Sequence, residues 1–159
     1  MFSNFGRREN LVIDGVPVGR ESYDWNPPLD NLGPDQSGSS IIIVVAIDAP
    51  LDPRQLERLC VRAGAGLART GGLYSTSSGD FVIAFSTTNR VPHFPDTPVL
   101  EYKQIAESLL NGQMWPAAPA INHFFQATIE ATEEAILNSM FSAETMVGRD
   151  NHVRHALPI

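Results

Sequence analysis

In DQSGSSIIIVVAIDAP, residues 35–50, the serines Ser37, Ser39 and Ser40 stand directly before an unbroken apolar run, Ile41–Ile47. A serine held rigidly at the start of a buried strand can attack a carbonyl, provided a base takes its proton. The histidines supply no such base by spacing. His93 lies in a proline-rich stretch and His123 in a helical pattern, and neither has a nucleophile near it in sequence. There is no G-x-S-x-G elbow, phosphate-binding loop, dinucleotide fingerprint or H-E-x-x-H. One other base is available. If the chain is cut just before the serine, the freed α-amine has a reference pKa of about 7.7–8.0, close to the best value for general-base work at neutral pH. The competing reading is a polar turn that caps a core strand.

Other groups are weaker candidates. His152 and His155 have H-x-x-H spacing near Asp150, but the segment carries no helix signal and runs into Pro158, so it reads as a solvated tail rather than a metal site. Glu130, Glu133 and Glu134 read as solvated carboxylates on a helix. Cys60, the single cysteine, sits among apolar neighbours and reads as a structural thiol; it permits no internal disulfide. The net charge of −7 and the absence of basic runs argue against nucleic acid and against a basic membrane anchor. No apolar run is long enough to span a bilayer, and the first ten residues lack the layout of a secretory signal, so the expected location is the cytoplasm.

The elements that must position the serines follow from hydropathy and punctuation. The length of 159 residues predicts one domain. Residues 9–21 predict a hairpin, with Leu11–Ile13 and a return strand from Val16 joined at Asp14-Gly15. Residues 22–38, rich in Pro, Gly and Asn, predict an exposed linker. The non-alternating run Ile41–Ile47 predicts a strand buried on both faces. Asp52 as N-cap, Pro53 at the first position, apolar residues at helical spacing and Gly71-Gly72 predict a helix to Arg69. A short strand at Leu73-Tyr74, a turn over 75–80 and a strand over 81–86 follow. Residues 88–118 predict irregular chain with a short helix near Glu101–Leu110, and 119–141 the longest helix, with an inner stripe of Ile121, Phe125, Ile129, Thr132, Ile136 and Met140. The tail predicts loose chain.

Five blocks in order carry a resemblance: NFGRRENLVIDGVPVGRE (4–21), SSIIIVVAIDAPLDPRQLERL (39–59), GLARTG (66–71), SGDFVIAFSTTNRVPH (78–93) and ATEEAILNSMFSAETMVGRD (131–150). Together they resemble the self-processing aminopeptidases of the DmpA type, the L-aminopeptidase/D-esterases and β-peptidyl aminopeptidases. The resemblance implies an α/β fold, part of an αββα sandwich, with two main helices packed on a β-sheet. It implies a precursor that cuts itself before a serine, which becomes the N-terminal nucleophile of the smaller subunit. It implies substrates that are small peptides, amino-acid amides or esters, and no metal or organic cofactor. By motif, Ser40 is the nucleophile, with Ser39 the competitor because Gly38-Ser39 supplies a Gly-Ser junction. Ser78 and Asp80 match the serine and acid that support the nucleophile, with Asp standing where some members have Glu. Asn4 matches the donor to the oxyanion.

The same resemblance divides the chain into the end of a larger-subunit portion (1–21), a linker (22–38) and a smaller catalytic portion (40–159). Most of the larger portion is missing, including a substrate-stabilising tyrosine that Tyr23, Tyr74 and Tyr102 do not match. One sheet face is therefore expected to be bare, covered by a homo-oligomer or by a partner that carries the missing portion. The alternatives to a hydrolase are a truncated, inactive fragment or assembly subunit, and a small binding module that uses the bare face.

Overall fold

A computed structural model describes residues 2–3, 6–21, 39–76, 78–99, 101, 103, 105 and 120–157. The linker 22–38, Asn4 and most of the expected helix at 101–110 lie outside the described residues. The elements are β1 (Phe2–Ser3), α1 (Val18–Glu21), β2 (Ser39–Ile47), α2 (Pro53–Arg69), β3 (Ser78–Ser86), α3 (Ile121–Phe141), β4 (Met146–Val147) and β5 (Val153–Arg154).

The centre is a β2–α2–β3 unit. β2 and β3 are parallel over nine rungs, from Ser39 opposite Ser78 to Ile47 opposite Ser86. β1 joins the other edge of β2 antiparallel, with Ser3 opposite Ile41. Helix α2 starts where the sequence predicts, and for the expected reason. Asp52 accepts from the Gln55 N–H at 2.8 Å while the Gln55 side chain accepts from the Asp52 N–H at 2.9 Å, so two otherwise orphaned donors are satisfied. The helix ends at Gly71, whose φ of +88° suits glycine and whose missing side chain leaves room for the Asn10 carbonyl.

Helices α2 and α3 cover one face of the sheet. Ile41 and Ile43 pack with Ala63, Leu67 and Ile136; a second cluster joins Leu51, Leu59, Ile121 and Phe125. The helices cross closely at Gly66, where an added Cβ would come 2.5 Å from the Ile129 carbonyl and 2.7 Å from the Thr132 Cβ. Gly66→Ala therefore forces the helices apart. We expect a loss of about 1–3 kcal/mol in urea unfolding, with little change in the slope. The buried hydroxyls of Thr128 and Thr132 donate to the carbonyls of Phe124 and Thr128, both at 2.7 Å, so the inner face of α3 buries no unpaired hydroxyl at these positions.

Four expectations change. The Ile41–Ile47 run is covered on one face only: Ile41 and Ile43 are 1% and 5% exposed, but Ile42 and Val44 are 43% and 54% exposed. The described residues place helices on one side of the sheet and nothing on the other. On that bare face Phe81, Ile83 and Phe85 of β3 are also exposed and pair across the strands with Ile42, Val44 and Ala46. The hairpin near the N-terminus is a single Ile13–Val16 bridge about an Asp14-Gly15 turn with both φ values positive. Its return strand turns into α1, because Pro17 has no N–H for a ladder and its carbonyl accepts from Arg20 and Glu21. Leu73-Tyr74 forms no strand; β3 begins at Ser78, so Ser78-Gly79-Asp80 belongs to the strand and not to the turn. The tail is a small antiparallel hairpin, Met146–Val147 against Val153–Arg154, with Asp150 and Asn151 at positive φ.

Candidate functional site

The candidate site lies where the two parallel strands begin. The hydroxyl-rich turn before β3 is closed by Ser75 N–H to the Leu73 carbonyl and by Ser78 N–H to the Ser75 carbonyl, both at 3.0 Å. This stops the turn at Ser78 and aligns it with Ser39. Register then does the rest, because side chains alternate between the faces of a sheet. Ser78, Asp80, Val82 and Ala84 follow one another on the helix-covered face, and Asp80 stands opposite buried Ile41. Ser40, Ile42 and Val44 follow one another on the bare face.

The Ser78 hydroxyl donates to Asp80 Oδ1 at 2.7 Å. The Gly79 N–H donates to Ser40 Oγ at 3.2 Å. The structure thus brings Ser40, Ser78 and Asp80 onto the first three rungs. The two side-chain groups sit on opposite faces and are joined through Gly79. An N–H aimed at Ser40 Oγ favours the oxygen as its proton leaves and negative charge develops. The Ser78–Asp80 bond commits the Ser78 proton to the carboxylate, which orients the Ser78 oxygen as an acceptor for an N–H. Asn4 lies outside the described residues; Ser3, the residue before it, is opposite Ile41, one rung from Ser40.

Two neighbours were not marked by spacing. Tyr74 rests its hydroxyl against Gly64 of α2, where no side chain would fit. Burial pushes its pKa up, and the negative charge of Asp80 adds to that shift, so the phenol stays protonated beside the site. Gly79 itself reads in sequence as a turn glycine. Its pairing with Ser40 depends on a contact between residues 39 positions apart, which no local pattern reports.

The other sequence candidates do not join this site. Cys60 lines a groove of about 600 Å³ with Leu51, Leu56, Val82 and Ala84, and is half-buried rather than buried. Desolvation raises its pKa, opposite to what a nucleophilic thiol needs. At pH 8 iodoacetamide is expected to alkylate Cys60 several-fold more slowly than free cysteine, with a rate that still climbs beyond the ordinary thiol range. His152 and His155 stand at and beside the tail hairpin, and no group of three metal-ligating side chains is found among the described residues. No helix among them is long and apolar enough to cross a membrane.

A parallel β–α–β unit with its helices on one side of the sheet is a layered α/β protein, here with Ser40, Ser78 and Asp80 on its first three rungs. The comparisons define it further. The chain belongs to peptidase family S58, whose sequence profile matches residues 1–154. It is 35% identical to the β-peptidyl aminopeptidase BapA of Sphingosinicella xenopeptidilytica over 98% of this chain and 38% of that protein. It is similar to the solved L-aminopeptidase D-Ala-esterase/amidase of Ochrobactrum anthropi, a prototype of the serine aminopeptidases and a variant of the Ntn hydrolase fold. The identity there is 36%, the TM-score 0.74, and 98% of this chain and 38% of that one are covered. It is also similar to the PH0078 protein of Pyrococcus horikoshii OT3, with 48% identity, a TM-score of 0.73, and coverage of 98% of this chain and 37% of that one. The chain therefore spans under two fifths of the length of these relatives.

Proposed function

We propose that this chain is the catalytic-serine part of an aminopeptidase-type hydrolase that activates itself by cleavage at Ser39–Ser40. Ser40 Oγ attacks the Ser39 carbonyl. The C–N bond breaks, which leaves an ester on Oγ and a free α-amine on Ser40. Water then hydrolyses the ester, and Ser40 becomes a chain end carrying both hydroxyl and amine. In turnover the amine takes the Oγ proton as Oγ attacks the carbonyl of an amide or ester. The protonated amine next gives its proton to the leaving group, and water releases the acyl group.

The observation that carries this reading is the hydrogen bond from Gly79 to Ser40 Oγ, set by the shared start of β2 and β3. Ser78 stands opposite Ser39, next to the place where the new amine appears. Its oxygen accepts from the amine while its proton is held by Asp80, so the amine lone pair is directed at Oγ. Asn4 donates its side-chain amide to the oxyanion, in keeping with the Ser3–Ile41 register that brings the chain to this rung. The substrates are small peptides, amino-acid amides or esters with a free amino terminus, and the protein works in the cytoplasm without metal or organic cofactor. The bare face of Ile42, Val44, Phe81, Ile83 and Phe85 takes a partner that carries the remaining three fifths of the relatives' length. The bare face also supports a second reading, an assembly subunit without catalysis.

Intact-mass analysis decides between them. Processing yields products of 39 and 120 residues, the larger beginning at Ser40. An uncut chain that hydrolyses no amino-acid p-nitroanilide, alone or with its partner, would be the assembly subunit.

A further inference from the structure

Tyr74 reaches from the loop after α2 back onto that helix. Its hydroxyl takes the place of a side chain at Gly64, where a Cβ would run into the phenol oxygen and lie 3.2 Å from Cζ. The place of Gly64 over the sheet follows from Cys60, one turn earlier on the same face of α2. Cys60 shares its groove with Val82 and Ala84. A crossover helix runs back against its parallel strands. One helical turn, about 5.4 Å, nearly equals two strand residues, about 6.6 Å. Gly64 therefore stands one pleat nearer the start of β3, on the side of Asp80, and the phenol fills the gap between them. The electrostatics agree. Burial is the larger cause that raises the Tyr74 pKa, and the Asp80 charge is the second. From α2 the phenol meets a glycine, with Cys60 a turn away; from β3 it meets Asp80.

We infer that Tyr74 is a positioning residue for the proposed reaction: its neutral phenol, seated on Gly64, holds the helix side of Asp80 so that Oδ1 stays turned to Ser78. The inference rests on Ser40 being the nucleophile and on Ser78 accepting from its amine. Asp80 Oδ1 accepts from the Ser78 hydroxyl at 2.7 Å. A carboxylate has a second oxygen with lone pairs of its own, and one bond to one oxygen does not fix the plane of the group. If the carboxylate swings away, the Ser78 proton can turn to the amine. It then occupies the lone pair that must take the Oγ proton. Tyr74 lies on the helix side of the sheet, the reverse of Ser40, so its effect passes through Asp80 and Ser78.

The kinetic test uses the processed protein with its partner present. Tyr74→Phe keeps the ring and removes the hydroxyl. Its kcat for an amino-acid p-nitroanilide is expected to fall about tenfold, with KM within about twofold. Gly64→Ala displaces the phenol and should lower kcat by a similar factor. In a Tyr74→Phe background it should cost little, because the clashing oxygen is gone, whereas merely structural losses would add. Phenolate absorbance reads the same contact without turnover, in proteins that all carry Ser40→Ala so that none is cut. The difference between Tyr74 and Tyr74→Phe isolates this phenol. Asp80→Asn should move its titration down toward the ordinary tyrosine range, since the charge that opposes ionisation is gone. An unchanged kcat in Tyr74→Phe, or a titration that Asp80→Asn leaves in place, overturns the role of Tyr74 while Ser40 stands. A wild type that neither cuts itself nor turns over substrate overturns that role together with the proposed reaction.

Discussion

Ser40→Ala yields an uncut chain and lowers hydrolysis by at least about a thousandfold. The expected size follows from the double duty of Ser40. In the proposed mechanism its oxygen is the nucleophile in both self-cleavage and turnover, and its nitrogen is the base only after the first of these. Alanine removes the oxygen and, by blocking cleavage, keeps the nitrogen locked in a peptide bond. Folding should be unaffected. Ser40 is only part-buried, and the change removes a single oxygen without adding bulk. Ser40→Cys is the control, because a thiol can make the same attack and should give slow cleavage at the same bond. Ser39→Ala assigns the nucleophile: cleavage to 39 and 120 residues persists if Ser40 attacks, whereas products of 38 and 121 in the parent would identify Ser39. The processed protein should gain activity as pH rises through about 7–8, where an α-amine of ordinary pKa loses its proton. A flat profile across that range would remove the amine from the mechanism.

The second large effect concerns the bare face. Ile83 lies at its middle, opposite Val44 and flanked by Phe81 and Phe85, and is 58% exposed. In the separate chain Ile83→Asp replaces a side chain that touches mostly water, so melting should shift little. In a complex the same carboxylate is buried against an apolar surface. Transfer of an unpaired charge there costs several kcal/mol, and the isoleucine's own burial, about 1.5–3 kcal/mol, is also lost. We expect affinity for a polypeptide carrying the remaining portion to fall by at least about a hundredfold. Co-expression and size-exclusion chromatography with light scattering would show a complex with the wild type and a separate chain with the variant. A variant that still assembles would place the interface elsewhere. Dimerisation of the wild type by itself would give the face to a second copy.

Much of the scaffold was readable in local signals. The Asp52 cap, Pro53 and Gly71 delimit α2 because capping and chain reversal are decided within a few residues. The stripe from Ile121 to Ile136 identifies α3 for a similar reason, since a helix repeats its face every three or four positions. The resemblance led to Ser40, Ser78 and Asp80, and the fold does bring these three to one end of the sheet. The errors have one source. An apolar run says that a strand has two greasy faces, but only the presence of a second layer says whether both are covered. The SGD triplet has turn composition, yet it becomes strand because β2 supplies a ladder to pair with. Tyr74 acquires its position from Gly64, a residue that looks like punctuation in sequence and acts as a space in the fold.

By itself the sequence determined the two long helices, the apolar cores of the two central strands and the kinship that joins the blocks, because these depend on neighbours in the chain or on residue identity. Tertiary structure decided which face each of those residues occupies. That depends on the parallel register of two strands separated by a helix, and a slip of one residue would exchange the faces. The opposition of Ser40 to Gly79, with Ser78 and Asp80 on the reverse side, is a property of the rung and of no single segment.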